Sequence, residues 1–311
     1  MDFSQLKRYS IFDRKSLVQA QSLSTPPPPP ISFQSFLDSL PNALKAKDFK
    51  AFLSSMHQAK QGKKPIIWMM GAHPIKVGLT PWLVEAMRHG FMTHLALNGA
   101  TLVHDFEMAL CGNTSEDVAE ALADGSFGMT RETGETLNTW IGKAAEEDKG
   151  LGKTIGQEIS QGDYPYRQQS LYANAWQHDI STSVHIAIGT DVIHHHPEAS
   201  GEALGKTSLR DFHTLCEHVG DLGDGGAVLN IGSAVILPEV FLKALTVARN
   251  INGPISNFTT ANFDMLQHYR PNENVVRRPT LEGGNGYTFT GHHEIMLPLF
   301  IAALIDASMQ K

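Results

Sequence analysis

Two short apolar runs, Pro65–Met70 and Thr93–Leu97, each stop at a turn of small polar residues, GAH and NGAT. Each turn then opens into helical spacing. A buried strand, a small turn and a helix form the repeating unit of nucleotide-binding α/β sheets. Further strands are predicted over Val184–Ile188, Ala227–Ile231 and Ile255–Thr259, with a short extended piece at Thr288–Thr290. Helical spacing is predicted over Pro81–Arg88, Val103–Cys111, Ser115–Leu122 (with Ser115 as its cap), Thr133–Glu147, Thr154–Ser160, Tyr164–Trp176, Ser208–Val219, Glu239–Asn250 and Glu294–Ser308. Apolar runs alternating with helical spacing favour an α/β fold: a Rossmann-like, doubly wound, mostly parallel sheet flanked by helices.

In open parallel sheets ligands sit beyond the carboxyl ends of the strands. The predicted ends are Gly71-Ala72-His73, Asn98-Gly99-Ala100-Thr101, Gly189-Thr190-Asp191, Gly232-Ser233-Ala234 and Thr260-Ala261-Asn262. Any strand-to-helix turn needs small residues, but five such turns together suit a dinucleotide lying across the sheet edge. No GxGxxG run is present, so an ordinary Rossmann dehydrogenase is not indicated.

Ahead of this region, Met1–Ser24 is polar and Pro26–Pro30 is a run of five prolines that favours an extended strut. Residues 1–30 read as an N-terminal arm and 31–311 as a single α/β domain. The chain has 311 residues, 41% of them hydrophobic, and a net charge of −7, which argues against nucleic-acid and anionic-membrane partners. The apolar run Ile295–Ile305 is too short to span a bilayer, and Met1–Arg14 is too mixed and charged for a signal peptide. Cys111 and Cys216 make no disulfide framework, so a cytoplasmic protein with reduced thiols is expected.

Taken in order, several segments resemble the deoxyhypusine synthase family. GAHPIKVGL resembles its early glycine/serine loop, and LNGATLVHDFEMAL its threonine-alanine-glycine turn followed by acidic residues. GKTIGQEI, IAIGTDVIHHHP and LNIGSAVILPE resemble the segments around its third and fourth strands. TTANFD, RPNE and GHHEIMLPLFIAAL resemble its last turn, its Arg-Pro-acidic-Glu segment and its final helix. The resemblance implies a deoxyhypusine synthase-like fold, NAD as cofactor, aminoalkyl transfer from a polyamine such as spermidine, and a homotetramer. By the same resemblance, Gly71, Ala72, His73, Asn98, Gly99, Ala100, Asp105, Gly232, Ser233, Thr260, Ala261 and His292 would hold NAD. Asp191, Asp264 and Glu273 would face the small cationic amine, with His104 as a further catalytic group.

The chain also departs from that family. Its imine-forming lysine has no counterpart, because the matching stretch reads RPNENVVRRPTLEGG and puts Arg277, Arg278 and Pro279 there. A guanidinium stays protonated and forms no Schiff base. Direct transfer to a free amine, as in homospermidine formation, therefore replaces the lysine route as the expectation. The fifteen histidines leave a second possibility open, a metal-dependent hydrolase with His194, His196 and His293 as ligands. Their spacing matches no metal signature. A non-catalytic protein binding NAD or a polyamine is the third.

Overall fold

A computed structural model describes residues 1–13 and 24–308. Part of the expected arm, residues 14–23, lies outside the described residues. The chain divides into two compact units, Met1–Ala51 and Phe52–Lys311. In the first, Ser32 caps α1 (Phe33–Ser39) by accepting from the Ser35 N–H, and Lys50 donates to the Leu40 carbonyl at 2.8 Å. Helix α2 (Leu44–Gln61) crosses the boundary between the units.

The second unit is built on six strands: β1 (Ile66–Met70), β2 (His94–Asn98), β3 (Ser181–His185), β4 (Ala227–Ile231), β5 (Phe258–Asp264) and β6 (Gly284–Thr290). They lie in the order β3-β2-β1-β4-β5-β6, and every neighbouring pair is parallel. The expected α/β fold with a parallel sheet is present. All strand ends therefore face one edge, and the order reverses between β1 and β4, where a doubly wound sheet opens a crevice.

Helices α3 (His73–Lys76) and α4 (Thr80–Arg88) follow β1. After β2 come α5 (Ala100–Cys111), α6 (Val118–Asp124), α7 (Arg131–Glu146), α8 (Leu151–Gln161) and α9 (Leu171–Gln177). Helix α10 (Gly201–Gly220) precedes β4, and α11 (Ile236–Asn252) follows it. A single turn, α12 (Tyr269–Pro271), and a π-turn lead to β6, and α13 (His293–Ser308) closes the unit. One face of the sheet packs Ile67, Met69 and Val228 against Leu237, Phe241 and Ala244 of α11. Elsewhere in the sheet core Phe52, Trp68 and Phe263 gather around Phe300, with Phe289 against Phe52 and Phe263.

Several boundaries differ from the expectations: α10 begins seven residues early at Gly201, α9 seven residues late at Leu171, and β6 four residues early at Gly284. Strand β3 starts three residues early, at polar Ser181. Ser181 and Ser183 hydrogen-bond the two ring nitrogens of His94 across the sheet at 3.1 and 2.9 Å, and Ser183 also meets His185 at 2.9 Å. Mutual pairing makes a buried polar strand affordable, and burial holds His185 at a pKa of about 3, neutral at ordinary pH. Strand β5 starts late and runs on to Asp264. Ser115 lies in a turn at φ 72°, and Asp117 caps α6 in its place by accepting from the Ala119 and Glu120 N–H groups.

Asp211 of α10 ties layers together. Its Oδ2 accepts from the Gly152 N–H of α8 (2.9 Å) and the Val184 N–H of β3 (2.7 Å). Burial pushes its pKa up to about 7, against the pull of those N–H groups. Replacing Asp211 with Ala orphans both donors at about 1–3 kcal/mol each. Urea denaturation is expected to show a loss of about 2–5 kcal/mol, and a midpoint equal to the parent's refutes the tie.

Candidate functional site

At the reversal point two backbones touch. The Gly71 N–H donates to the Ile231 carbonyl at 3.2 Å, and the Gly232 N–H donates to the Phe263 carbonyl at 3.1 Å. A Cβ on Gly71 would come within 2.9 Å of the Gly232 carbonyl oxygen. Gly232 has φ 63°, and a Cβ there would sit 2.6 Å from the His293 ring. Glycine is needed at both positions, for space at the first and for space and backbone conformation at the second.

His293, 1% exposed, packs against this turn. Its Nε2 meets the Phe263 carbonyl at 3.1 Å, and a carbonyl only accepts, so Nε2 donates and Nδ1 is left as a covered acceptor without a partner. The His73 ring lies 5.4 Å away. Burial, with nearby His293 adding to it, holds the His73 pKa below its usual value, while Glu294 and Asp264 pull the other way. Asp264 ends β5, 7% exposed. Gly71, Ala72, His73, Gly232, Ser233 and Asp264 thus gather at one point on the sheet edge.

One strand over, Asn98 and Gly99 lead from β2 into α5. A Cβ on Gly99 would lie 2.0 Å from Asp191 Oδ2, so the carboxylate rests directly on the start of α5. No side chain caps that helix. Asp191 is 8% exposed, and burial pushes its pKa up to about 6, with the Thr190 hydroxyl pulling back. A carboxylate at the α5 N-terminus disfavours a phosphate there and suits a cation. Ala100, His104 and Asp191 share a cavity of 740 Å³ with Lys76, Glu107 and Thr114. Burial foremost, then Lys76, lowers the His104 pKa to about 4, which leaves the ring neutral near pH 7.

Other expected site residues stand elsewhere. Thr260 and Ala261 are interior residues of β5, buried and opposite Val228 and Leu229 of β4, because the strand ends three residues later. Asp105 is wholly buried and accepts from Ser170 Oγ (2.5 Å) and the Leu171 N–H (2.6 Å), anchoring the start of α9. Glu273 is ion-paired with Arg277 (2.6 Å) and Arg278 (3.4 Å) beside a different, shallower depression. The His292 side chain is 63% exposed, 3.9 Å from Glu294. His195 and His196 meet the Gly128 carbonyl, and the His196 ring lies over Gly134 of α7. Among the described residues no three His, Cys, Asp or Glu side chains are placed to hold a metal ion. His194, His196 and His293 therefore offer no shared ligand set. The cavity residues Lys76, Glu107 and Thr114 escaped the sequence reading; the one signal was the spacing of His104 and Glu107, one helical turn apart.

No protein-family model matches the chain, and a search of curated proteins finds no match. Several solved structures share the fold. A putative LOR/SDH protein from Methanococcus maripaludis S2 aligns with a TM-score of 0.56 and 14% identity, over 97% of this chain and 76% of its own. AgrE, solved in a ternary complex with ornithine and NAD+, aligns with a TM-score of 0.55 and 11% identity over 85% of this chain. The match spans only 34% of AgrE. A putative deoxyhypusine synthase from Entamoeba histolytica aligns with a TM-score of 0.52 and 10% identity, over 89% of this chain and 94% of its own. At these identities the likeness is one of fold, a fold shared with enzymes of which one was solved with NAD+. Among the described residues no helix is long and apolar enough to cross a membrane.

Gly99→Ala tests the seat of Asp191. The helical φ of −62° accepts alanine, but the new methyl expels the carboxylate. Carboxyl NMR titration is expected to show Asp191 moving from about 6 toward the ordinary carboxylate range, with α5 intact. An unmoved titration refutes the contact.

Proposed function

We propose that this chain is an NAD-dependent enzyme that oxidises a small amine and delivers its alkyl group to a free amine acceptor. The observation that supports it most is the contact of the Gly71 and Gly232 turns where the strand order reverses. The glycines let the two turns meet where the strand order reverses, the place at which doubly wound sheets take their ligands. The covered acceptors His293 Nδ1 and Asn98 Oδ1 near these turns suit a ligand rich in hydroxyl and amide donors.

NAD would supply a hydride acceptor. The chain's own groups would do the rest. Asp191 would hold a cationic nitrogen of the amine other than the reacting one, and His104 would take the proton released at the nitrogen next to the oxidised carbon. Asp264 would face the same cation from the β5 end. Arg277 is engaged by Glu273 through three contacts of 2.6–2.9 Å and, as a guanidinium, would form no imine, so in this reading the alkyl group would pass directly to the acceptor amine. A polyamine or a related amine is the substrate of this reading, and a cytoplasmic homotetramer its setting.

Calorimetry is expected to show NAD+ binding that Gly232→Ala weakens at least about 10-fold, since that change meets both a positive φ and the His293 ring. Incubation with NAD+ and spermidine should yield new amines on chromatography. Asp191 must be ionised to hold an ammonium group, so kcat/KM should climb as pH rises through about 6. Asp191→Asn should remove that limb. Absence of NAD+ binding sinks the reading.

A further inference from the structure

His104 and Glu107 occupy one face of α5, a turn apart, and both line the cavity. Thr114, in the segment after the helix, lies between them. The Thr114 hydroxyl contacts Glu107 Oε2 at 2.6 Å and His104 Nδ1 at 2.7 Å, while Thr133 Oγ1 holds the other Glu107 oxygen at 3.1 Å. Thr114 has a single proton to give. Two oxygens 2.6 Å apart need that proton between them, so Thr114 donates to the carboxylate. Its lone pair then accepts from His104, and the ring proton must sit on Nδ1. Nε2 is left bare, with no hydrogen-bond partner among the described residues.

We propose that Thr114 and Glu107 are positioning residues that fix the His104 tautomer, so that the cavity presents an unprotonated imidazole nitrogen as proton acceptor for a substrate N–H. The proposal rests on the reading of the cavity as the amine site of an NAD-dependent enzyme. In that setting NAD+, when bound, would take a hydride from the carbon next to an uncharged amine nitrogen, and the resulting iminium would give its N–H proton to His104 Nε2. The products are a neutral imine, NADH and an imidazolium that returns the proton to water. The imidazolium retains its Nδ1–H bond to Thr114, so the ring does not turn as it charges. Burial and the neighbouring Lys76 keep the resting ring uncharged, as proton acceptance requires.

The tautomer is measurable without substrate, by 15N NMR of ring-labelled histidine in the full chain, with His104→Asn to assign the signal. The expected wild-type spectrum has a protonated Nδ1 and a bare Nε2. Thr114→Val should release the ring to a mixture of tautomers, and Thr114→Ser should restore the lock. A protonated Nε2 in the wild type, or no change in Thr114→Val, overturns the proposal. With NAD+ and spermidine, Thr114→Val should lower kcat about 100-fold at unchanged NAD+ affinity, and Thr114→Ser should recover it. Failure of NAD+ to bind would remove the cofactor reading and leave the tautomer result standing.

Discussion

The sheet edge depends on one backbone contact. Gly71 and Gly232 close adjacent strands whose connections run to opposite sides, and the two turns meet with no side chain between them. Any Cβ on Gly71 would press on the Gly232 carbonyl, and any on Gly232 would press on His293. The placement of His293, His73 and the ends of β4 and β5 follows from that approach. The same economy of side chains recurs at Gly99, where a missing methyl gives the Asp191 carboxylate its seat.

A division of labour results along the edge. The β1–β4 seam offers backbone and covered acceptors. The β2–β3 side offers an open cavity with an acid, a neutral imidazole and a lysine. Two ligands of different character, or two ends of one reaction, can be served by neighbouring turns of a single sheet. The parallel order brings this about, since every strand delivers its last residue to the same side.

Much of the fold was legible because buried parallel strands are short apolar runs. The apolar runs Ala227–Ile231 and Ile66–Met70 coincide with β4 and β1. The misses have physical causes. Ser181–Ser183 falls outside the apolar run that marks the strand, because its hydroxyls are satisfied largely by His94 from a strand distant in sequence, which no local pattern reveals. Thr260 and Ala261 looked like a turn because small residues serve equally at a strand end and inside a close-packed sheet. Asp105 and Glu273 were credible ligand residues by type. Only the fold shows one committed to the α9 N-terminus and the other to two guanidinium groups. Glu107 and Thr114 join His104 through a segment outside the helix, and so went unnoticed.

Helix α5 carries inward-facing Asp105 beside cavity-facing His104 and Glu107. The buried carboxylate pins the helix to α9 through Ser170 and Leu171. One wall of the cavity is thereby immobilised from behind. Thr114 and Thr133 brace the same wall, whereas Glu116, Val118, Phe127 and Thr130 line the cavity beside the short helix α6, none of whose residues is buried. Adjustment to ligands of different size, and divergence in what the pocket accepts, would fall to the lining around α6, with α5 held as a fixed reference.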